Sequence, residues 1–438
     1  MSFGNVPRDL NVSSLATLRS TASKSINGLF SADIRQVGAL VQYQRSPDVW
    51  VTAEADTVPA TQLGDLYTLP GPITTAQLSL SLDGSVLAVG LAAVTAGSSL
   101  SILSNTAGFY TQQAIPLPPD AVGTLSCSVS LSDSGQILAF GSPADNTDVG
   151  AVWVYADIAG VWTLQGTKIT GPGEIGAGNF GQTLSLSGNG TLLAVGSPAD
   201  GTAGAVYIFN IQYTSAPVLV ARIVGTPLDP GAVFGRDVAF SADGYTLAVG
   251  ATGDLGGSGS AFIFTKTLTQ SSQWTQQAKF TAPSAIAPSS FFGNQVSLSA
   301  DGNVFSVSSS KNAVIFYRSA PQNLGPSATL GPNASWSAGS LLQLPYDLVG
   351  PFLESFAILS QDGNTLCFSY SKNNADIGAS WIFTQGPPGT WTQNGPGFIG
   401  TGAPPAPPPQ QGKTTLSGDG KTAAAMDDTL QGLLWVFV

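Results

Sequence analysis

The sequence predicts an all-β fold: a seven-bladed β-propeller of four-stranded antiparallel blades, closed by N- and C-terminal strands sharing the last blade. Three observations predict it. A short motif, Ser-x-x-Gly, recurs seven times, with serine at Ser81, Ser132, Ser187, Ser241, Ser299, Ser360 and Ser417 and glycine at Gly84, Gly135, Gly190, Gly244, Gly302, Gly363 and Gly420. The six intervals from Gly84 to Gly420 average 56 residues. Each copy is flanked by short apolar strands, and the last copy stops after its third strand, so the chain's N-terminal side has to supply the missing one.

Within a copy, the turn residues dictate a tight hairpin. Glycine accepts φ > 0, and the Asp or Asn that precedes it in most copies caps the turn. Before the turn come stretches such as LSLS, VSLS and VAFS, and after it LAVG, LAFG and FSVS, which define strands A and B. A third strand, C, reads GAVWVY, GAVYIF, GSAFIF or GASWIF, and a fourth, D, reads VWTLQ, PVLVARI, QWTQQAKF or TWTQN, with a stretch near Trp336 in the fifth copy. Four antiparallel strands cannot bury both faces alone, so the units must stack. For the seventh blade, residues 48–58 (DVWVTAEADTV) are expected to supply strand D against residues 432–438, and GALVQYQ, residues 38–44, is a further strand-like stretch at this seam. The domain reading is an N-terminal arm, residues 1–35, followed by the propeller, residues 36–438.

Composition closes several functional doors. The 438 residues hold 15 Lys plus Arg against 26 Asp plus Glu and no histidine, for a formal net charge of −11, and only 9% are charged. Without histidine there is no Ser-His-Asp or Cys-His catalysis and no His-ligated zinc. An acidic, Lys-poor chain lacks the basic footprint of a nucleic-acid binder. No window approaches the roughly 18 consecutive apolar residues of a membrane-spanning helix, and no signal-peptide pattern opens the chain. The expectation is therefore no nucleic acid and no membrane insertion. Cys127 and Cys367 lie in apolar strand-like surroundings and read as buried thiols.

Copies three, four and five carry Phe-Gly before strand A, at Phe180-Gly181, Phe234-Gly235 and Phe292-Gly293. Strand B ends in Gly-Ser-Pro (Gly141 to Pro143, Gly196 to Pro198) or Gly-Ala-Thr (Gly250 to Thr252). With the Trp-Thr-Gln-Gln and Gly-Ala-x-Trp/Tyr-x-Phe strands, this pattern resembles FG-GAP repeats, the units of integrin-α-like seven-bladed propellers. The resemblance covers residues 38–438 in graded quality, and copies one, six and seven lack the Phe-Gly. In calcium-binding members of that family the A–B connection is a longer Asp-rich loop, because Ca²⁺ needs six to eight oxygens. Here it is the short Ser-x-x-Gly turn in all seven copies, so the resemblance implies a fold without its calcium sites.

The remaining candidates for chemistry are carboxylates and aromatics. Asp145, Asp148, Asp200, Asp254, Asp376, Asp427 and Asp428 fall in B–C connections, on the face that also carries the D–A links, and form a candidate acidic binding face. Trp153, Tyr207, Phe262, Trp381 and Trp435 share one register of strand C, and Trp162, Trp274 and Trp391 one register of strand D, as packing residues do. Trp336 and Tyr346, in a long fifth insertion, read as aromatics that break the repeat and so as candidates for carbohydrate stacking. GPGEIG, residues 171–176, has the spacing of a dinucleotide loop but no helix behind it, and APPAPPPQQ, residues 403–411, reads as a stiff D–A link.

Residues 1–35 hold four of the 15 basic residues and an apolar set, Leu15, Leu18, Ile26, Leu29 and Phe30, that suits burial against another chain. The leading expectation is a non-enzymatic structural or adhesive propeller with no catalytic residues, metal or cofactor. It would be held by its arm to other protein subunits, on a virus particle, another particle surface or an extracellular array. In that role it would mediate protein–protein or receptor contact; the alternatives are a glycan-binding, lectin-like propeller and a carboxylate-dependent polysaccharide-cleaving enzyme.

Overall fold

The computed structural model describes residues 34–37, 40–46, 49–53, 67–68 and, from residue 73 on, all but 94–98, 107–108, 124, 126–127, 212–215, 267–272, 287–289, 320–334, 344–354, 371–378, 387–388, 399–410 and 428–432. Seven four-stranded antiparallel sheets follow one another in strand order A to D. In blade 2, for example, A is Ser128–Leu131, B Ile137–Ser142, C Ala151–Ile158 and D Val161–Ile169. Strand A of each blade contacts strand A of the next, and that of blade 7, Gln411–Leu416, meets that of blade 1, Ile73–Leu80, so the ring closes.

In blades 2 to 4 strand B is buried along its whole length and strand C along all but its last one or two residues. Alternate side chains go to alternate neighbours: Leu138 and Phe140 pack toward blade 1, Ile137 and Ala139 toward blade 3. The period-2 pattern thus sorts side chains between two interfaces rather than between core and water. Seven hydrophobic clusters fill the seven gaps between blades. Outer strand D keeps one wet face.

The Ser-x-x-Gly turn locks itself and its neighbours. In all seven copies the serine is buried and its Oγ accepts the backbone N–H five residues on, at 2.9–3.1 Å. In six copies the same hydroxyl donates to the Asp or Asn two residues on at 2.5–2.9 Å, and that oxygen also accepts the backbone N–H after the glycine. Burial raises Asp301 and Asp362, but these bonds outweigh it and hold both carboxyls below their usual range. The turn glycines have φ of +66° to +71°. A Cβ on Gly135 would also meet Val86 of the preceding blade at 2.8 Å, and one on Gly84 would meet Thr422 at 2.5 Å.

Each turn then bonds to the next blade, through the N–H of its second residue in six copies and of its third, Asp419, in the seventh. Leu82 N–H donates to Asp133 O, and the chain of backbone bonds runs on through Gly188, Ala242, Ala300, Gln361 and Gly418 before Asp419 N–H returns to Leu82 O, all at 2.6–3.0 Å. Seven turns form one closed girdle. Inside it, Gln361 Nε2 of blade 6 reaches Asp133 Oδ1 of blade 2 across the axis at 2.5 Å. Burial pushes the Asp133 carboxyl up, and the Gln361 bond opposes that only in part. A Cβ on Gly188 would lie 2.3 Å from Asp133 Oδ2 and 3.0 Å from Ala242 Cβ, so the girdle leaves no room for a side chain there.

Deeper in the ring, Asp237 joins three inner strands: Thr183 Oγ1 of blade 3 donates to Oδ1 at 3.0 Å and Val296 N–H of blade 5 to Oδ2 at 2.8 Å. The residue is half-buried, and both carboxylate oxygens are taken up by these bonds. Burial, against these hydrogen bonds and the nearby Arg236, raises its pKa to about 6.

Two sequence expectations are corrected at the seam. The strand that completes blade 7 against Leu433–Phe437 is Tyr67–Thr68, paired with Leu433 and Leu434, not residues 48–58. Val49–Ala53 instead pairs with Leu40–Ser46, which pairs with Ile34–Val37 in a separate three-stranded meander. The strand-like stretch 38–44 therefore belongs to this extra sheet. Sequence reasoning chose 48–58 for its likeness to strand D of copy two, but alternation is the same in any half-buried strand and does not name the partner.

Two measurements check these assignments. Gly188→Ala should cost about 1–3 kcal/mol in denaturant unfolding by overfilling the girdle, whereas Gly160→Ala, at a turn where a Cβ meets nothing, should lose only what its φ of +84° demands. For Asp237, the native carboxyl keeps its proton up to about pH 6 and the unfolded one only to 3.8. The native state therefore binds more protons in that window, and stability should fall as pH rises through it, by up to about 3 kcal/mol. Asp237→Asn, whose amide can still accept from Val296 N–H, should remove this dependence and be more stable than wild type above pH 6.

Candidate interaction face

The two ends of the ring differ. At the girdle end, the turn carboxylates described above are engaged by their own serine and backbone. At the other end lie the B–C loops and D–A links, and in blades 2, 3 and 4 these carry one recurring arrangement. Asp145, Asp200 and Asp254 open the B–C loops and are buried. Each pairs with a cation from strand D of its own blade: Lys168 at 2.6 Å, Arg222 at 2.7 Å and Lys279 at 2.7 Å. Each cation also lies 5.4–5.6 Å over the ring of the strand C aromatic, Trp153, Tyr207 or Phe262.

The other carboxylate oxygen reaches out to the D–A link. Val122 N–H donates to Asp145 at 2.6 Å, Ile175 N–H to Asp200 at 2.9 Å and Asp229 N–H to Asp254 at 3.1 Å. The Val122 and Ile175 carbonyls in turn accept from Asn146 and Gly201 N–H. In blade 4, Asp229 Oδ2 accepts Leu255 N–H at 3.2 Å. Each link is thus clamped on a buried ion pair. Tyr207 O–H donates to Asp200 at 2.8 Å; burial and then that carboxylate push the phenol well above its usual range. For Asp254, burial raises the carboxyl, but bonds from Lys279, Ser260 and Asp229 N–H outweigh it and hold it low.

Beside these clamps four large apolar side chains reach solvent. Val122 (51% exposed), Ile175 (65%), Leu255 (44%) and Phe291 (40%) stand on this face. Leu255 and Phe291 have left-handed backbones, φ +52° and +54°, which bulky residues adopt at a cost. Phe291 N–H meets Gly257 O at 3.3 Å, which sets it beside the Leu255 loop. Around them, Asp120, Asp145, Asp148, Glu174, Asp200, Asp229 and Asp254 outnumber Lys168, Arg222 and Lys279, an excess of four negative charges among the described loop and strand-end residues of blades 2 to 4. Glu174 Oε1 lies 2.6 Å from Ser197 Oγ; burial raises its carboxyl, Asp200 adds to the rise, and the Ser197 bond and Arg222 oppose it.

The phenylalanines of the Phe-Gly pairs are wholly buried. Phe180 packs edge-on to Tyr207 and Phe234 to Phe262. Each forms a parallel bridge to the glycine that opens strand C of the preceding blade: Gly150, Gly204 and Gly259. A Cβ on any of these glycines would sit 2.1–2.2 Å from the phenylalanine carbonyl oxygen. The motif is a joint between blades.

The predicted site residues fare unequally. Asp145, Asp200 and Asp254 are brought to one face but are buried and paired, so they support the surface rather than line it. Asp148 is exposed there. Asp427 ends strand B of blade 7, its side chain outside the described residues, as are Asp376, Asp428, Tyr346 and the arm residues Leu15, Leu18, Ile26, Leu29 and Phe30. Trp336 does not break the repeat: it opens strand D of blade 5, Trp336–Gln343, as Trp274 and Trp391 open theirs. It lies edge-on to Phe280 and Phe305, with Arg318 over its ring at 4.8 Å. Sequence reasoning missed Val122, Ile175, Leu255 and Phe291, which follow no shared register. It also missed the cations, whose signal was there: in three copies a basic residue stands near the end of strand D, in LQGTKI, VLVARI and QQAKF.

No family model matches the chain, and no curated protein matches it. Solved structures do. The β-propeller domain of Cps50 (Swd1) from Myceliophteria thermophila superposes with a TM-score of 0.56 at 13% identity, over 86% of this chain and 98% of that one. PpgL, a periplasmic gluconolactonase of Pseudomonas aeruginosa, gives 0.55 at 17%, over 81% and 92%. A putative 6-phosphogluconolactonase from Bacteroides uniformis gives 0.52 at 13%, over 82% and 92%. At these identities the likeness is one of fold: the chain is a seven-bladed β-propeller, and its FG-GAP character stays a resemblance. The expectation of a non-enzyme is corrected, because propellers of this shape include lactonases, and missing histidine excludes only the chemistries that need it.

The clamps make a measurable claim. Asp200→Ala leaves Arg222 and Tyr207 without their shared acceptor and should cost about 2–4 kcal/mol in urea unfolding. Lys421→Ala, which removes a cation 81% exposed from its pair with Asp419, should cost less than about 0.5 kcal/mol.

Proposed function

We propose that this propeller works as a binding module that takes a polypeptide partner on its loop face over blades 2 to 4. The observation that carries the reading is the pairing of exposed apolar side chains with a clamped backbone. Val122 and Ile175 are fixed at both N–H and C=O, and Leu255 at its N–H. Side chains held rigid in the unbound state lose little order on binding. Exposed apolar side chains among acidic ones are the composition of a protein contact surface, and the charge excess selects a partner segment carrying basic residues beside apolar ones. Such a module suits a component of a larger assembly, in keeping with the FG-GAP resemblance.

A glycan is the second reading, supported by one observation: Phe291 is an exposed aromatic with Asn294, an amide-bearing residue, three positions on, whose backbone N–H bonds back to the Phe291 carbonyl. Panning a random peptide library on the full chain separates the two. Selected peptides should be basic and apolar, and should lose binding to the double variant Ile175→Glu, Phe291→Glu, which should keep the wild-type melting temperature because both side chains are exposed. Binders indifferent to those changes, with a positive glycan microarray, would replace this reading by the glycan one.

A further inference from the structure

Resting on that reading, we propose that the partner segment is residues 10–32 of a second copy of this chain, docked on the loop face over blades 2 to 4. The segment, LNVSSLATLRSTASKSINGLFSA, has no Asp or Glu and two cations, Arg19 and Lys24. It therefore brings positive charge to a face with four surplus negative charges. Leu15, Leu18, Ile26 and Leu29 stand at spacings that place them on one side of a helix, with the small apolar Ala22 at the remaining step, and Phe30 adjoins them. A helix that carries its apolar residues in a stripe needs an apolar surface to lie on, and recognition of this kind uses anchors at i, i+3, i+7 and beyond. Val122, Ile175, Leu255 and Phe291 provide such a surface, flanked by the exposed Asp120, Asp148 and Asp229.

The path of the chain favours a second copy over the same one. The N-terminal side enters the ring at Tyr67–Thr68, in blade 7, which is three blades from blades 3 and 4 in either direction around the ring. Docking on its own face would need the chain between the segment and Tyr67 to cross the ring, whereas between copies each segment can meet the other's face directly, a head-to-tail arrangement that builds rings or chains.

The test uses the full chain. Sedimentation velocity across a wide concentration range should show self-association, weakened at least about tenfold by Ile175→Glu or by Phe291→Glu on the face and equally by Leu18→Glu with Leu29→Glu in the segment. Ile158→Glu, on the opposite rim, should leave it unchanged. A fluorescent peptide of residues 10–32 should bind the full chain, compete with self-association and bind less tightly as salt rises. A chain that stays monomeric and binds no peptide, or one whose association ignores the face variants, overturns the proposal. If basic, apolar library peptides still bind the face in that case, only the identity of the partner is lost and the contact surface stands.

Discussion

The constraint on which everything else rests is that a serine hydroxyl must close the A–B turn from within. Behind the tip of each hairpin the strand ends are buried at the hub, away from water, and an orphaned N–H there costs on the order of 1–3 kcal/mol. The buried serine meets that demand seven times over, at Ser81 through Ser417, accepting from the returning strand with its Oγ. With the turn fixed, a backbone N–H and C=O of each turn are left in set positions, and the seven turns complete each other around the axis. The glycine follows from the same geometry. It supplies the left-handed φ, and its bare Cα lets the preceding blade's first strand B residue pack against it.

Once the hub is sealed, the opposite end is the one where the chain can vary without undoing the ring. There the structure uses buried ion pairs instead of backbone rings. A buried pair is costly to assemble and contributes little net stability, but it fixes position. In blades 2 to 4 the carboxylates of Asp145, Asp200 and Asp254 use one oxygen on a strand D cation and the other on the adjoining link. The result is a stiff platform whose apolar tips differ from blade to blade while their supports repeat.

This division also explains what could be read from the sequence. The blades were legible because each is local: turn chemistry, strand alternation and strand order all lie within one copy of about 56 residues. The Asp residues of the B–C loops were legible as a recurring feature, but their burial was not, since it depends on Lys168, Arg222 and Lys279 some 22 to 25 residues later in the chain. The girdle was invisible for a plainer reason: its bonds use backbone atoms alone, and Leu82, Asp133, Gly188 and Gln361 have no side-chain property in common. Trp336 misled because the long connection before it hid its register, which only the pairing with Arg318 reveals.

The closing strand is worth setting beside the girdle. Tyr67–Thr68 covers two residues of blade 7, at its outer edge, while six other blades carry outer strands of six to nine residues. A ring of seven bonds, by contrast, has no first or last member, and Asp419 to Leu82 is one link among equals. The seam where the two halves of the chain meet is therefore not the clasp of the molecule. A chain opened at the exposed Ala159-Gly160 hairpin and joined at its present ends would carry the same closed circuit at its hub.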